Sequence, residues 1–139
     1  MQIAEIVNVL SGVLVFGFGL SLIGLAALIT TMPSHAEGFL RGFASSARTH
    51  YTEQGLRLVV GAAVVTFASS MRYPGLFKLF GWLIIVSTAA LLLIPWQWHN
   101  KFGTLVMPPV FRRMRLFALG AFALGAFILY SASRVFGVS

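Results

Sequence analysis

The chain has 139 residues, of which 58% are hydrophobic and 9% are charged, and its mean hydropathy is +0.91. Soluble domains carry roughly 25% charged residues, and a water-soluble domain of this size could not bury so much apolar surface. The composition therefore excludes an ordinary soluble protein and predicts a single transmembrane domain over residues 1–139. Its apolar runs are continuous and rich in Leu, Ala and Gly, which favours helices over the alternating strands of membrane barrels. The predicted fold class is an all-α integral membrane protein.

Few residues with reactive side chains are present. The sequence has no Cys, which excludes disulfides, thiolate metal sites and Cys nucleophiles. It has no Asp, and its acidic residues, Glu5, Glu37 and Glu53, all lie near predicted membrane edges, which leaves little acid–base chemistry. We therefore expect a protein that is not an enzyme, with no catalytic residue, metal site or cofactor.

The net charge of +7 points to a membrane surface. In a protein of this class, basic residues contact anionic lipid headgroups, so membrane lipids are the first predicted partner. The basic residues are spread along a membrane edge without a nucleic-acid-binding motif, and no nucleic-acid partner is predicted.

The first predicted span covers residues ~4–31, which is long enough for the roughly 30 Å hydrocarbon core of a bilayer. No positive region precedes its apolar run, so we interpret it as a retained span and not as a signal peptide. Gly17, Ser21 and Gly24 recur at i, i+4 and i+7. Small residues at this spacing predict a face on which a neighbouring helix packs closely.

The connector after this span predicts a short amphipathic helix within residues 34–50. Ser34 and Glu37 fit the capping box that starts a helix. Apolar residues then share one face, as in helices that lie in the membrane interface. The alternative is a solvated loop.

The second predicted span, residues ~53–71, is the shortest. Leu58 to Met71 gives 14 uncharged residues, or about 21 Å of helix. Arg57 and Arg72 at its ends can reach the headgroups, and Thr52 could cap the helix. Its small residues Ala62, Thr66 and Ser70 predict a packing face. The alternative is a re-entrant segment.

The third and fourth predicted spans cover residues ~75–95 and ~110–133. Pro74 suits the first turn of a helix, and Leu79 to Trp98 is a run of 20 uncharged residues. The fourth span contains 18 uncharged residues, Leu116 to Ser133, with Ala118, Ala121 and Gly125 as its predicted packing face.

The connector at residues 95–115 reads PWQWHNKFGTLVMPPVFRRMR and gathers Trp, His and basic residues. It predicts a second interfacial helix, within residues 97–107. Trp and basic side chains anchor membrane proteins at the headgroup level. The predicted interface anchors of both connectors are Arg41, Arg48, Arg57, Trp96, Trp98, His99, Lys101, Arg112, Arg113 and Arg115. A lipid or quinone site near Trp96, Trp98 and His99 is the alternative for this cluster.

A shift of 62 residues aligns the two halves without a gap. It would make each half a span, a proline, an interfacial segment and a second span, as in parallel repeats of membrane proteins. The matched pairs are Gly19 with Gly81, Ala27 with Ala89, Pro33 with Pro95, Ser69 with Ser131, and Arg72 with Arg134.

Basic residues are unequally divided between the two predicted sides. Three, Arg72, Lys78 and Arg134, lie on the side of the termini, and the other seven lie in the connectors after the first and third spans. The positive-inside rule then places the connectors in the cytoplasm and both termini on the non-cytoplasmic side.

The last third of the chain resembles a known family. Pro95, Trp98, Met107-Pro108, Arg112-Arg113 and a glycine-containing span ending at Tyr130 make residues ~90–132 similar to the YjeT-like small inner-membrane proteins of bacteria. Those proteins are shorter, with about half as many spans, so the resemblance implies an enlarged or duplicated form. It implies a location in the bacterial inner membrane and supplies no reaction.

The predicted function is that of a non-enzymatic accessory or structural subunit. Small-residue faces favour packing against other membrane proteins, in a hetero- or homo-oligomeric complex. The first alternative is a small transporter or channel, which the absence of a charge at the centre of any predicted span disfavours. The second is the lipid or quinone site near Trp96, Trp98 and His99.

Overall fold

A computed structural model describes residues 2–41, 47–95, 97–98, 100–102, 105 and 112–137. Within them the chain forms helices α1 (Ile3–Thr31), α2 (Pro33–Arg41), α3 (Ala47–Phe67), α4 (Pro74–Leu93) and α5 (Met114–Ala132). Short 3-10 segments, Ala68–Ser70 and Ser133–Phe136, follow α3 and α5. Residues 97–98, 100–102 and 105 are also helical. The described part of the chain contains no strand, in agreement with the all-helical prediction.

Three helices are long and apolar enough to cross a membrane: α1, α4 and the segment Met114–Phe136. Their length and composition agree with the predicted membrane-protein class. With 29 residues, α1 extends about 44 Å, more than the hydrocarbon thickness, and a helix of this length tilts or projects into the interface. With 21 residues α3 is also long enough, but charged residues in its first half, Arg48, Glu53 and Arg57, lower its hydropathy.

Several element boundaries differ from the prediction. Helix α3 starts at Ala47 instead of 53 and absorbs residues 47–50, which were expected in the interfacial helix. Thr52 lies inside α3, where its hydroxyl donates to the Arg48 carbonyl at 2.7 Å, so its predicted role as a cap is wrong. Pro33 is the first residue of α2, which places Ser34 inside the first turn and not at the cap. As predicted, Pro74 opens α4.

The long helices pack as two antiparallel pairs. Helix α5 lies against α1, α4 lies against α3, and α1 joins the pairs through its contact with α3. Val15, Val64, Phe77 and Ile128 come from the four long helices and belong to one buried cluster. A second cluster joins α1, α2 and α5 near the connectors; it consists of Ala26, Ile29, Ala36, Ala118 and Ala121.

Each antiparallel pair crosses at two glycines whose backbones touch. A Cβ on Gly125 would lie 2.7 Å from the carbonyl oxygen of Gly19 in α1. In the other pair, a Cβ on Gly81 would lie 3.0 Å from the carbonyl oxygen of Gly61, and a Cβ on Gly61 would lie 3.2 Å from that of Gly81. Glycine is required here because any larger residue would hold the helices apart.

The two crossings use matching positions. Gly125 faces Gly19 together with Leu22 and Ile23, whereas Gly61 faces Gly81 together with Ile84 and Ile85, a constant shift of 62 between α1 and α4. Between α3 and α5 the shift is instead 64, as Gly61 with Gly125 and Val65 with Leu129 show. The gap-free alignment of the halves is therefore wrong for α3 and α5, since it would pair Gly61 with Ala123.

The turn between α3 and α4 is bound to the end of α5. The Arg72 amide donates to the Ser131 carbonyl at 3.0 Å, and its guanidinium donates to the Ser133 hydroxyl at 2.9 Å and to the Tyr130 carbonyl. In return, the Arg134 guanidinium donates to the Met71 carbonyl at 3.1 Å. These bonds place the ends of α3 and α5 on the same side of the bundle as the start of α4.

Candidate functional site

The first half of α3 carries a polar face made of His50, Glu53, Gln54 and Arg57. Their spacing of i, i+3, i+4 and i+7 places them on one side of the helix. His50 and Gln54 are completely buried, and Glu53 and Arg57 are partly buried. Because buried polar side chains usually have a hydrogen-bond partner or a functional reason to lack one, we take this polar face as the candidate site.

Arg57 bonds two hydroxyls of α4. Its Nε donates to Thr88 Oγ1 at 3.0 Å, and its Nη2 donates to Ser87 Oγ at 2.8 Å. Both hydroxyls donate in turn to the Ile84 carbonyl, at 2.6 Å from Thr88 and 3.0 Å from Ser87. The guanidinium thus joins α3 to α4 through hydroxyls whose own protons are already used.

Two other members of the polar face have polar atoms without a hydrogen-bond partner among the described residues. In Gln54 these are both amide atoms, Oε1 and Nε2, and in Glu53 the atom is Oε2. A buried amide that makes no hydrogen bond costs the folded protein about 1–3 kcal/mol. Such a cost is typical of a group kept for a purpose other than stability.

Arg57 lies farther from the end of its helix than the sequence indicated. Arg57 was expected at the end of a span, but it occupies the middle of α3. Its partner Thr88 lies within α4, a candidate span, about 7 Å from the Leu93 end. The i, i+3, i+4, i+7 spacing is visible in the sequence, but the predicted connector, residues 34–50, contains His50 and so separates it from the other three residues.

This arrangement can donate and accept hydrogen bonds but does not form a metal centre. No group of three His, Asp or Glu that could hold a metal ion occurs in the described ranges. The His50 ring lies edge-on to Tyr51, with 5.0 Å between centroids. The polar face is suited to joining helices or to binding a polar group inside the bundle.

The predicted anchors are spread along the connector side. Arg48, Trp98, Lys101, Arg112, Arg113 and Arg115 are exposed. Arg41 is the last residue of α2, and Arg57 belongs to the polar face of α3. Trp96 and His99 lie outside the described residues, and so does the lipid or quinone site predicted around them.

The three predicted packing faces differ in how far they are buried. Ala118, Ala121 and Gly125 are buried, where α5 meets α1. Ala62 and Thr66 are exposed, and Ser70 is partly buried.

On α1, Gly17, Ser21 and Gly24 are exposed, and a Cβ on Gly17 or Gly24 would meet nothing within 4 Å. The Ser21 hydroxyl donates to the Phe18 carbonyl of its own helix at 2.7 Å. This outward face of α1, defined by Gly17, Ser21 and Gly24, is therefore not covered by any part of the chain that the structure describes.

No known protein family matches this sequence, and neither a curated protein nor a solved structure is detectably similar to it. The resemblance of residues 90–132 to the YjeT-like proteins therefore stays a prediction. Two features remain to indicate a function: the polar face of α3 and the outward face of α1.

Proposed function

We propose that this chain is a non-enzymatic accessory subunit that packs against other proteins in a bacterial inner membrane. The outward face of α1 carries the proposal. Its small residues leave the backbone exposed over two helical turns. Small residues at this spacing allow another helix to pack closely in lipid. Gly125 makes that kind of contact with Gly19 inside the bundle, so the chain already uses this mode of packing.

The proposal includes four spans, with α3 as the fourth. Helix α3 lies antiparallel to α4 along its length, and its glycine crossing with α4 matches the crossing of α1 with α5. The charge of Arg57 is bonded to Ser87 and Thr88 of α4. These features support a buried membrane position for α3, with the connectors in the cytoplasm and both termini on the opposite side.

We also propose that the chain arose by duplication of a two-span unit. The two crossings share five equivalent positions, and Arg72 and Arg134 each bond the end of the other half. The shift is 62 for α1 and α4, 64 for α3 and α5, and 62 again for Arg72 and Arg134. Relative to the first half, the second half therefore has two additional residues between its two crossing glycines and two fewer between Gly125 and Arg134. An ancestral unit of this size would match the shorter YjeT-like proteins.

A small transporter or channel is the second candidate, favoured by the polar face of α3. Ionisable groups at membrane depth are typical of translocation paths. Glu53 and Gln54 have buried polar atoms without hydrogen-bond partners among the described residues, as expected of groups that meet a passing solute. We prefer the accessory role because Arg57 makes its hydrogen bonds to residues of the same chain and not to a solute.

Cross-linking tests the accessory role. The sequence has no Cys, so a single Gly17→Cys substitution creates a unique thiol on the outward face of α1. We expect this variant, labelled with a maleimide–benzophenone reagent and illuminated in native membranes, to form a cross-linked species, because the benzophenone inserts into C–H bonds of whatever protein lies against the face. Gly120→Cys on α5 is the matched control, because Gly120 is also exposed and a Cβ there would meet nothing within 4 Å.

The identity of the cross-linked species decides the kind of complex. Mass spectrometry of the Gly17→Cys product distinguishes a second copy of this chain from a different membrane protein. If Gly17→Cys and Gly120→Cys both remain monomeric, the accessory proposal is wrong. Solute flux into proteoliposomes that requires Glu53 would establish the transporter instead.

A further inference from the structure

A groove of about 880 Å³ opens to the surface where α1 meets α5 near the connectors. Its lining comes from α1 between Ile23 and Thr31, from Pro33, and from α5 between Met114 and Phe122. Small-molecule sites in proteins usually have volumes of about 300–1,000 Å³. Ala26 and Ala118 are buried in this lining, whereas Ala27, Leu119 and Phe122 are exposed, so the groove is open along one side.

The walls of the groove are apolar. Its polar lining residues from α1, Thr30 and Thr31, donate their hydroxyl protons to the carbonyls of Ala26 and Ala27, at 2.8 and 2.7 Å. Neither hydroxyl therefore offers a proton to a ligand. A ligand along these walls must be an apolar chain, because a polar one would lose hydrogen bonds to water that the groove does not replace.

One end of the groove is positively charged. Among the lining residues that the structure describes, Arg115 is the charged one, and none of them is acidic. Arg115 belongs to the first turn of α5, on the side where Arg112 and Arg113 are also exposed. From Arg115 to Phe122 the groove follows α5 for about 10 Å into the apolar part of the bundle.

We propose that this groove binds an anionic glycerophospholipid. Arg115 binds the headgroup phosphate through its guanidinium, and one acyl chain lies between α1 and α5 toward Phe122. The match of an apolar channel with a single cationic end selects an amphiphile with an anionic head. Because α1 and α5 are candidate spans, the Arg115 end of the groove then lies at the depth of lipid headgroups, and the Phe122 end lies at the depth of acyl chains.

Native mass spectrometry can measure this binding on the full chain. The protein is purified in mild detergent and equilibrated with phosphatidylglycerol or, separately, with phosphatidylcholine. We expect one phosphatidylglycerol to remain bound at activation energies that remove phosphatidylcholine. Arg115→Gln should lower phosphatidylglycerol retention about tenfold, because a charge-assisted bond to the phosphate is lost.

Matched variants distinguish lipid binding in the groove from general attraction to basic residues on the surface. Arg113→Gln removes an exposed basic residue that does not line the groove and should retain the lipid as wild type does. Ala27→Phe fills the groove and should abolish retention, whereas Ala90→Phe, at an exposed position of α4, should not. Size-exclusion elution at the wild-type volume verifies that each variant is folded.

Three outcomes would overturn the proposal. Equal losses in Arg115→Gln and Arg113→Gln would mean general attraction to the membrane surface. Equal retention of both lipids would mean that Arg115 does not select the headgroup. A lipid-free dimer that Ala27→Phe dissociates would mean that a second copy of the chain occupies the groove.

Discussion

Gly19 of α1 and Gly125 of α5 touch through their backbones, because a Cβ on Gly125 would lie 2.7 Å from the Gly19 carbonyl oxygen. We expect Gly125→Ala to lower the free energy of unfolding by about 1–3 kcal/mol, the usual cost of overpacking a fixed contact. Unfolding by denaturing detergent, followed by circular dichroism, measures the change. Gly120→Ala is the control and should be neutral or slightly stabilising, since space around Gly120 is open.

The equivalent crossing of α3 and α4 predicts a similar effect at Gly81. A Cβ there would lie 2.6 Å from Val65 Cγ2 and 3.0 Å from the Gly61 carbonyl oxygen. Gly81→Ala should therefore destabilise the protein by about 1–3 kcal/mol, like Gly125→Ala. Gly75→Ala, in the same helix but with nothing within 4 Å, should cost far less. If Gly81→Ala were neutral, the proposed equivalence of the two crossings would fail.

Arg72 is expected to stabilise the end of the bundle opposite the connectors. Its guanidinium bonds Ser133 and lies 4.3 Å from the centroid of the Tyr130 ring. Arg72→Met should lower the free energy of unfolding by about 2–4 kcal/mol, because more than one bond to a charged group is lost. Lys78→Met removes an exposed charge of α4 and should change stability little. An equal effect of both substitutions would indicate a general charge effect.

The sequence alone predicted the helical membrane class, because long uncharged runs leave no other way to satisfy the backbone in lipid. It also selected Ala118, Ala121 and Gly125, which are buried. It could not rank that face above Gly17, Ser21 and Gly24, which are exposed, because small residues have the same spacing whichever neighbour they meet. Only the three-dimensional arrangement shows which face is occupied within the chain.

The polar face of α3 was missed for a different physical reason. Hydropathy places a helix boundary where charges begin, so Arg57 was expected at the headgroups. The hydroxyls of Ser87 and Thr88, which bond this guanidinium between α3 and α4, are 30 and 31 residues away in sequence. A long-range hydrogen bond of this kind leaves no trace in local periodicity. The start of α3 and the position of Arg57 within the helix therefore could not be predicted.

Loss of the Thr88 hydroxyl alone should be more damaging than its loss together with the Arg57 guanidinium. Thr88→Val removes the acceptor of Arg57 Nε and leaves a partly buried charged donor, with an expected cost of about 1–3 kcal/mol. Arg57→Met/Thr88→Val removes both partners and should recover part of that loss, as when buried polar pairs are replaced by apolar ones. Thr66→Val, at an exposed position of α3, is the control. Additive losses in the double variant would show that the bond does not couple the two residues.

Accessibility of single thiols can test the proposed orientation. Ser34→Cys in α2 should react with a membrane-impermeant maleimide only after the cells are opened, because the connectors are predicted to be cytoplasmic. Gln2→Cys should react in spheroplasts with an intact inner membrane. Reaction of both thiols from the same side would exclude a single span between Gln2 and Ser34, and would contradict the topology.

Gln54→Leu distinguishes a structural from a functional role of the polar face. Both amide atoms of Gln54 lack a hydrogen-bond partner among the described residues, although the side chain is completely buried. Replacing it with leucine should raise the free energy of unfolding by about 1–2 kcal/mol, since the desolvation cost of the amide disappears. Ala63→Ser, which adds a polar group at another buried position of α3, should act in the opposite direction.

If Gln54→Leu is more stable and forms the same Gly17→Cys cross-link, the amide serves neither folding nor assembly, and a role in binding a solute becomes the favoured explanation. A destabilised Gln54→Leu would show that the amide bonds a group within the folded chain, and the polar face would then be structural.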